Sequence, residues 1–226
     1  MIDVFGFHIY LYGLIIGFSI VLAWEISRRA ARKKGVDEKT IENAFYWTVG
    51  VGIVGARVYH VIDLWEYYSV QPEKIMYLWN GGLAIWGAIT GGFVGLWISW
   101  RLSKRRFRFV ELTDVGVLGL PLAQAVGRLG NWVNGELYGK NGEPLFVYES
   151  GLNIMLFALL TIYSTKKRRS GFITGIYLIG YGVIRILLEN WREPEIIWRV
   201  GDIPVAVIFS ALAISIGLFQ VARKRS

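Results

Sequence analysis

The stretch ESGLNIMLFALLTIYSTKKRRSGFITGIYLIGYGVIRILLEN (149–190) decides the fold. Two apolar runs, 149–165 and 172–190, flank the basic cluster Lys166-Lys167-Arg168-Arg169. A helix needs about 20 mostly apolar residues to cross the hydrocarbon core of a bilayer. Each run approaches that length, and the cationic group between them reads as a loop held at a membrane surface. The same alternation continues outward on both sides. Further spanning helices are expected at 7–26, 43–62, 81–100, 113–130 and 203–222, with Pro121 kinking the 113–130 segment. The expected architecture is an all-α integral membrane protein of seven transmembrane helices with small outer loops, one domain over 1–226.

Charge supplies the orientation. Arg28, Arg29, Arg32, Lys33, Lys34 and Lys39 follow the first span, and Arg101, Lys104, Arg105, Arg106 and Arg108 follow the third. Lys166 to Arg169 follow the fifth, and Arg223, Lys224 and Arg225 close the chain. The alternate loops hold only Lys74, Lys140, Arg192 and Arg199. Basic residues accumulate on cytoplasmic loops, so the N-terminus is expected outside and the C-terminus in the cytoplasm. The net charge of +8 then serves orientation and contact with anionic membrane lipids rather than nucleic acid. Asp3 is the only charge ahead of the first span, so a cleaved secretory signal is not expected.

Composition narrows the chemistry. The chain has no cysteine, which removes disulfides and a cysteine nucleophile. His8 and His60 have no metal-ligand spacing, and neither a metal nor a cofactor is expected. A retinal photoreceptor needs a lysine within a span, and every lysine falls in a loop or tail. Gly87, Gly91 and Gly95 recur at helical spacing and read as a packing face.

Three basic residues remain inside spans: Arg57, Arg128 and Arg185. By the topology all three lie toward the outer ends. An arginine at membrane depth costs about 2.5–3.5 kcal/mol on insertion scales, and three at one level point to a bound anion. The planar guanidinium fork suits phosphate. Arg185 and Glu189 stand at i, i+4 on one helix face, with Arg192 following. The segment Gly127-Arg-Leu-Gly-Asn-Trp-Val-Asn-Gly-Glu-Leu-Tyr-Gly139 places Arg128, Asn131, Asn134 and Glu136 among glycines at a span end. Glycine lets backbone approach a ligand closely, and asparagine supplies donors and acceptors together. An alternative use of such a site is a phospholipid or anion transporter.

The 127–139 segment resembles the signature of the prolipoprotein diacylglyceryl transferases, seven-span enzymes of the bacterial inner membrane. Tyr12-Gly13, Gly55-Ala-Arg57-Val-Tyr59, Gly81-Gly82-Leu-Ala-Ile-Trp86-Gly87 and Tyr181-Gly182-x-x-Arg185-x-x-x-Glu189-x-x-Arg192 resemble further family motifs in the same order. Pro144 with Tyr148-Glu149 matches part of His-Pro-x-Gln-x-Tyr-Glu; Glu143 and Phe146 replace its histidine and glutamine. Trp86 stands where many members have a histidine considered as a base. The resemblance implies transfer of a diacylglyceryl group from phosphatidylglycerol to the lipobox cysteine of a prolipoprotein, with an active site toward the outer face. It implies Arg128, Arg185, Asn131, Glu136 and Tyr12 as catalytic residues. Arg57, Asn134, Gly139, Glu189, Trp86 and Arg192 are implied as substrate contacts, with Glu136 and Glu189 orienting arginines.

Overall fold

The computed structural model describes residues 2–4, 7–9, 11–78, 81–103 and 107–223. Lys104, Arg105, Arg106, Lys224 and Arg225, which contribute to the charge asymmetry, lie outside the described residues. In chain order the elements are β1 (Ile2–Val4), β2 (Phe7–Ile9), α1 (Leu11–Lys33), α2 (Glu38–Asp63), α3 (Trp65–Val70) and α4 (Ile85–Leu102). They continue with α5 (Phe109–Gly116), α6 (Leu120–Val133), α7 (Leu145–Ser164), α8 (Phe172–Glu189), β3 (Arg199–Val200), β4 (Ile203–Pro204) and α9 (Val205–Ala222). The chain divides into two compact units, Ala31–Leu112 and Met1–Ala30 with Thr113–Ser226.

This is an all-α membrane protein. Helices α1, α7, α8 and α9 are long and apolar enough to cross a bilayer, and α5 with α6 make a fifth span if the pair, bent by 43°, counts as one. Leu14, Phe18 and Val21 on α1 and Phe209, Leu212 and Phe219 on α9 are exposed, as lipid-facing residues are. Glycines, tryptophans and one arginine each dilute the apolar runs of α2 and α4, which do not reach that composition.

Several boundaries depart from the sequence expectation for local reasons. Residues 7–9 are not helical; they pair antiparallel with 2–4, Asp3 opposite His8. Helix α1 runs beyond residue 26, where Glu25 accepts from Arg28 at 2.7 Å and Arg29 at 2.6 Å, the i+3 and i+4 pairs that support a helix surface. The 113–130 segment breaks between Gly116 and Leu120, just before Pro121 at the start of α6. Helix α7 starts at Leu145, so Glu149 sits inside the helix and not at its edge.

In the Ala31–Leu112 unit, α2 and α4 pack with their backbones almost touching. A Cβ on Gly55 would lie 2.5 Å from the Gly87 carbonyl oxygen, and one on Gly91 would overlap the Val51 carbonyl. The expected packing face of Gly87, Gly91 and Gly95 is buried here. Lipid is as apolar as a side chain, so such close contact supplies association that burial from water does not.

In the other unit a core of Val117, Leu118, Leu145, Leu156, Leu160, Ile173, Tyr177, Ile184 and Leu188 joins the turn between α5 and α6 to α7 and α8. Asp114 ties α5 to the start of α8. Its carboxylate accepts from Gly171 N at 2.7 Å, Thr174 N at 2.8 Å and Thr174 Oγ1 at 2.8 Å. Helix starts leave unpaired N–H donors that a carboxylate satisfies well.

Candidate active site

Helix α6 brings Arg128 and Asn131 to its last turns and then turns sharply. Gly135 (φ 70°) and Leu137 (φ 64°) take left-handed backbone. Leu137 is the one non-glycine with positive φ among the described residues. Such strain costs of order 1–3 kcal/mol and persists where surroundings enforce it; here the Leu137 side chain packs on the core of α7 and α8.

The polar groups of this turn form one hydrogen-bonded chain. Arg128 Nη2 donates to Glu149 Oε1 at 2.6 Å, and Arg128 Nη1 to Asn131 Oδ1 at 3.2 Å. Asn131 Nδ2 donates to Glu136 Oε2 at 3.2 Å, and Asn134 Nδ2 to Glu136 Oε1 at 3.2 Å. Glu136 therefore orients two asparagines, not an arginine as its place in the motif suggested. The carboxylate that holds Arg128 is Glu149, 1% exposed on α7. Sequence reasoning left Glu149 out of the site; the available signal was an acid at the start of an apolar run.

Helix α8 contributes the second half. Arg185 Nη2 donates to Glu189 Oε2 at 3.0 Å, and Arg192 Nη1 lies 3.8 Å from the same oxygen. Glu189 is buried between two arginines. Arg192 also lies within electrostatic reach of Glu149 and Arg128, and burial, then the neighbouring Arg185, draw its guanidinium below the usual value. It stays protonated nonetheless, as arginine does in proteins.

The loop returns to α8 through backbone. Gly139 bridges to Arg192, and Lys140 N donates to Trp191 O at 2.9 Å. A Cβ on Gly139 would stand 2.8 Å from Trp191 O and collide with the Glu143 carboxylate. Gly139 is thus required by close approach. Tyr12 on α1 joins the group: its ring lies against Gly130, where a Cβ would come within 2.7 Å of it.

Two expected members lie in the Ala31–Leu112 unit. Trp86 is half-buried in the first turn of α4, its carbonyl accepting from Thr90 Oγ1 at 2.9 Å. Arg57 is corrected by the structure. Its Nε donates to Ile75 O (2.9 Å), Nη1 to Gly81 O (2.8 Å) and Gly82 O (3.0 Å), and Nη2 to Lys74 O (2.6 Å) and Tyr77 O (3.3 Å). A guanidinium has five N–H donors, and five carbonyls take them. Arg57 organises the loop before α4 and has no donor left for a phosphate. Gly82 (φ 74°) must be glycine, since a Cβ would meet Arg57 Nη1 at 2.7 Å and the His60 ring at 2.6 Å.

In the buried cluster three arginines face two carboxylates. Among the described residues, Arg128 Nε and Arg192 Nε are buried and have no hydrogen-bond partner. An unpaired buried donor costs about 1–3 kcal/mol, more when charged. Such an arrangement has the charge and the donors to accept an anion.

Fold and cluster together define a helical membrane protein with a buried cluster of arginines and carboxylates. The family model of prolipoprotein diacylglyceryl transferase matches residues 1–223, and the chain belongs to that family. Similar curated relatives include the phosphatidylglycerol–prolipoprotein diacylglyceryl transferase of Finegoldia magna, 30% identical over 99% of this chain and 94% of the relative. Those of Symbiobacterium thermophilum (35%, covering 93% and 87%) and Lysinibacillus sphaericus (32%, covering 95% and 87%) carry the same name. These relatives are transferases, and nothing among them favours a transporter.

Proposed function

We propose that the chain moves the diacylglyceryl group of phosphatidylglycerol onto the thiol of a lipobox cysteine in a prolipoprotein, at the outer face of a bacterial inner membrane. The observation that carries this reading is the buried excess of guanidinium over carboxylate with two N–H donors unpaired. A phosphodiester headgroup supplies the missing charge and the missing acceptors, and arginine forks match its oxygens.

In the reaction the thiol sulfur attacks the glyceryl carbon that carries the phosphate ester. A C–S bond forms, the C–O bond breaks, and its electron pair leaves on the phosphate oxygen. The thiol proton balances that charge, so the products are a thioether and glycerol phosphate. Negative charge grows on the leaving oxygen, where fixed guanidinium groups in a water-poor site act most strongly. The same cations favour the thiolate, which is the nucleophile. Arg128 and Arg185 hold the phosphate, joined by Arg192. Glu149 and Glu189 fix the arginines, and Glu136 fixes Asn131 and Asn134 toward headgroup oxygens. Tyr12 reaches the headgroup, and Gly139 permits the loop path.

The seven long helical segments, with α5 and α6 taken as one, and the basic odd-numbered loops support seven spans with the N-terminus outside. The site then belongs to one catalytic domain, 1–226. The test is protein reconstituted with phosphatidylglycerol and a lipobox peptide. Mass spectrometry should find the diacylglyceryl adduct, lost in Arg128→Ala. Lipid movement between leaflets with no adduct would overturn the reading.

A further inference from the structure

A second cationic site lies at the other end of α8. An 18-residue helix is about 27 Å long, which separates this end from Arg185 and Glu189 by the better part of a membrane. Here α7 ends, α8 begins and α9 ends, around a cavity of ≈ 360 Å³ lined by Lys167, Arg168, Arg169, Phe172, Val221 and Arg223. Four of the six are cationic and none is acidic.

Among the described residues, the cavity lining holds no carboxylate. The sequence has no Asp or Glu between Glu149 and Glu189, and none after Asp202. The carboxylate that reaches this end of α8, Asp114, is occupied by Gly171 and Thr174. Two of the guanidinium groups are held by the fold. Arg169 Nη2 donates to the Gln220 and Val221 carbonyls at the end of α9, while its Nη1 is buried without a partner. Arg168 lies over the rings of Tyr163, at 5.3 Å, and Phe172, at 5.0 Å. Positioned cations lose less freedom when a ligand arrives.

The cavity stands at the ends of three apolar helices, so the anion that meets it carries an apolar portion. Phe172 and Val221 line it, and Ile162, Leu218 and Phe219 continue outward as exposed apolar surface. We propose that this cavity binds the phosphate of an anionic phospholipid in the leaflet opposite the arginine cluster, with the acyl chains along α7 and α9. Basic pockets between spans on the positively charged face recognise such headgroups.

The test is native mass spectrometry of the full-length chain in detergent, titrated with phosphatidylglycerol or phosphatidylcholine. Two phosphatidylglycerol adducts are expected, one lost in Arg128→Ala and the other in Arg168→Gln/Arg223→Gln. Removing two of the four cations should weaken the second adduct about 30-fold, with the transfer rate on added lipid within twofold of wild type. The Arg168→Lys/Arg223→Lys protein should keep it. If the double glutamine variant is unstable, Lys167→Glu reverses one exposed charge without touching the Arg169 contacts and should weaken the same adduct. Unchanged occupancy in these variants overturns the proposal. So does competition by millimolar inorganic phosphate at the strength of the lipid, which would mark a soluble-anion site.

Discussion

Glu149 offers the sharpest test of how the arginine cluster is held. In Glu149→Ala, Arg128 stays charged and mostly buried, 26% exposed, and keeps the 3.2 Å bond to Asn131 and its contact with the Tyr181 hydroxyl. Removing one partner of a buried ion pair costs about 3–5 kcal/mol. Glu149→Gln keeps the shape and one carbonyl acceptor. It keeps a hydrogen bond to a charged group but drops the ion pair, which moves the bond from the upper to the lower part of the about 1.5–3 kcal/mol range. The difference of about 1–1.5 kcal/mol is roughly tenfold in rate. If Arg128 meets charge that develops on the leaving phosphate, the loss falls on kcat, with KM for phosphatidylglycerol changed little. Initial rates with a lipobox peptide, read by mass spectrometry beside a thermal midpoint in detergent, separate the two effects. Wild-type kcat in the glutamine variant, together with under 1 kcal/mol of destabilisation in the alanine variant, would refute the reasoning.

Arg57→Lys should lower the thermal midpoint while the folded fraction keeps its KM for phosphatidylglycerol, because an ammonium cannot serve five carbonyls; a raised KM at unchanged stability would restore Arg57 as a lipid ligand. Gly91→Val should destabilise the α2–α4 pair by at least about 1–3 kcal/mol through overpacking, and a thermal midpoint equal to wild type would contradict the close approach at Val51. Asp114→Ala should cost about 1–3 kcal/mol by exposing the donors of Gly171 and Thr174, seen as faster hydrogen exchange in the first turn of α8; unchanged exchange there would show that Asp114 is not the cap.

Hydropathy located the helices because each apolar run is long relative to the turns that bound it. It misread the ends where local pairing competes with helix. The pairing of residues 2–4 with 7–9 takes up residues that would start α1, and Gly81 and Gly82 hold back α4. The carboxylate of Arg128 was hidden for another reason. Glu149 is 21 residues from Arg128 and meets it only because α7 folds back along α6; no helical spacing records that contact. Glu189 was readable, since its arginine lies one turn away on the same helix. Glu136 looked like an arginine partner because it shares a short motif with Arg128, yet the turn at Gly135 and Leu137 directs it to the asparagines instead.

Membrane depth alone grouped Arg57 with Arg128 and Arg185. Donor use separates them. Every N–H of Arg57 ends on a main-chain carbonyl, so that arginine stabilises a loop whose own acceptors would otherwise lack partners, and its charge is spread over five peptide dipoles. Arg128 and Arg192 each keep a buried Nε–H with nothing to receive it, and with Arg185 they share only the carboxylates of Glu149 and Glu189. A structural ion cluster needs balanced charge and filled donors to repay desolvation. This one has neither until a singly charged anion with free acceptors, such as a phosphodiester, enters. On the proposed function, the surplus of one charge and two donors is what distinguishes Arg128 and Arg192, with donors to offer a phosphate, from Arg57, whose donors are all taken.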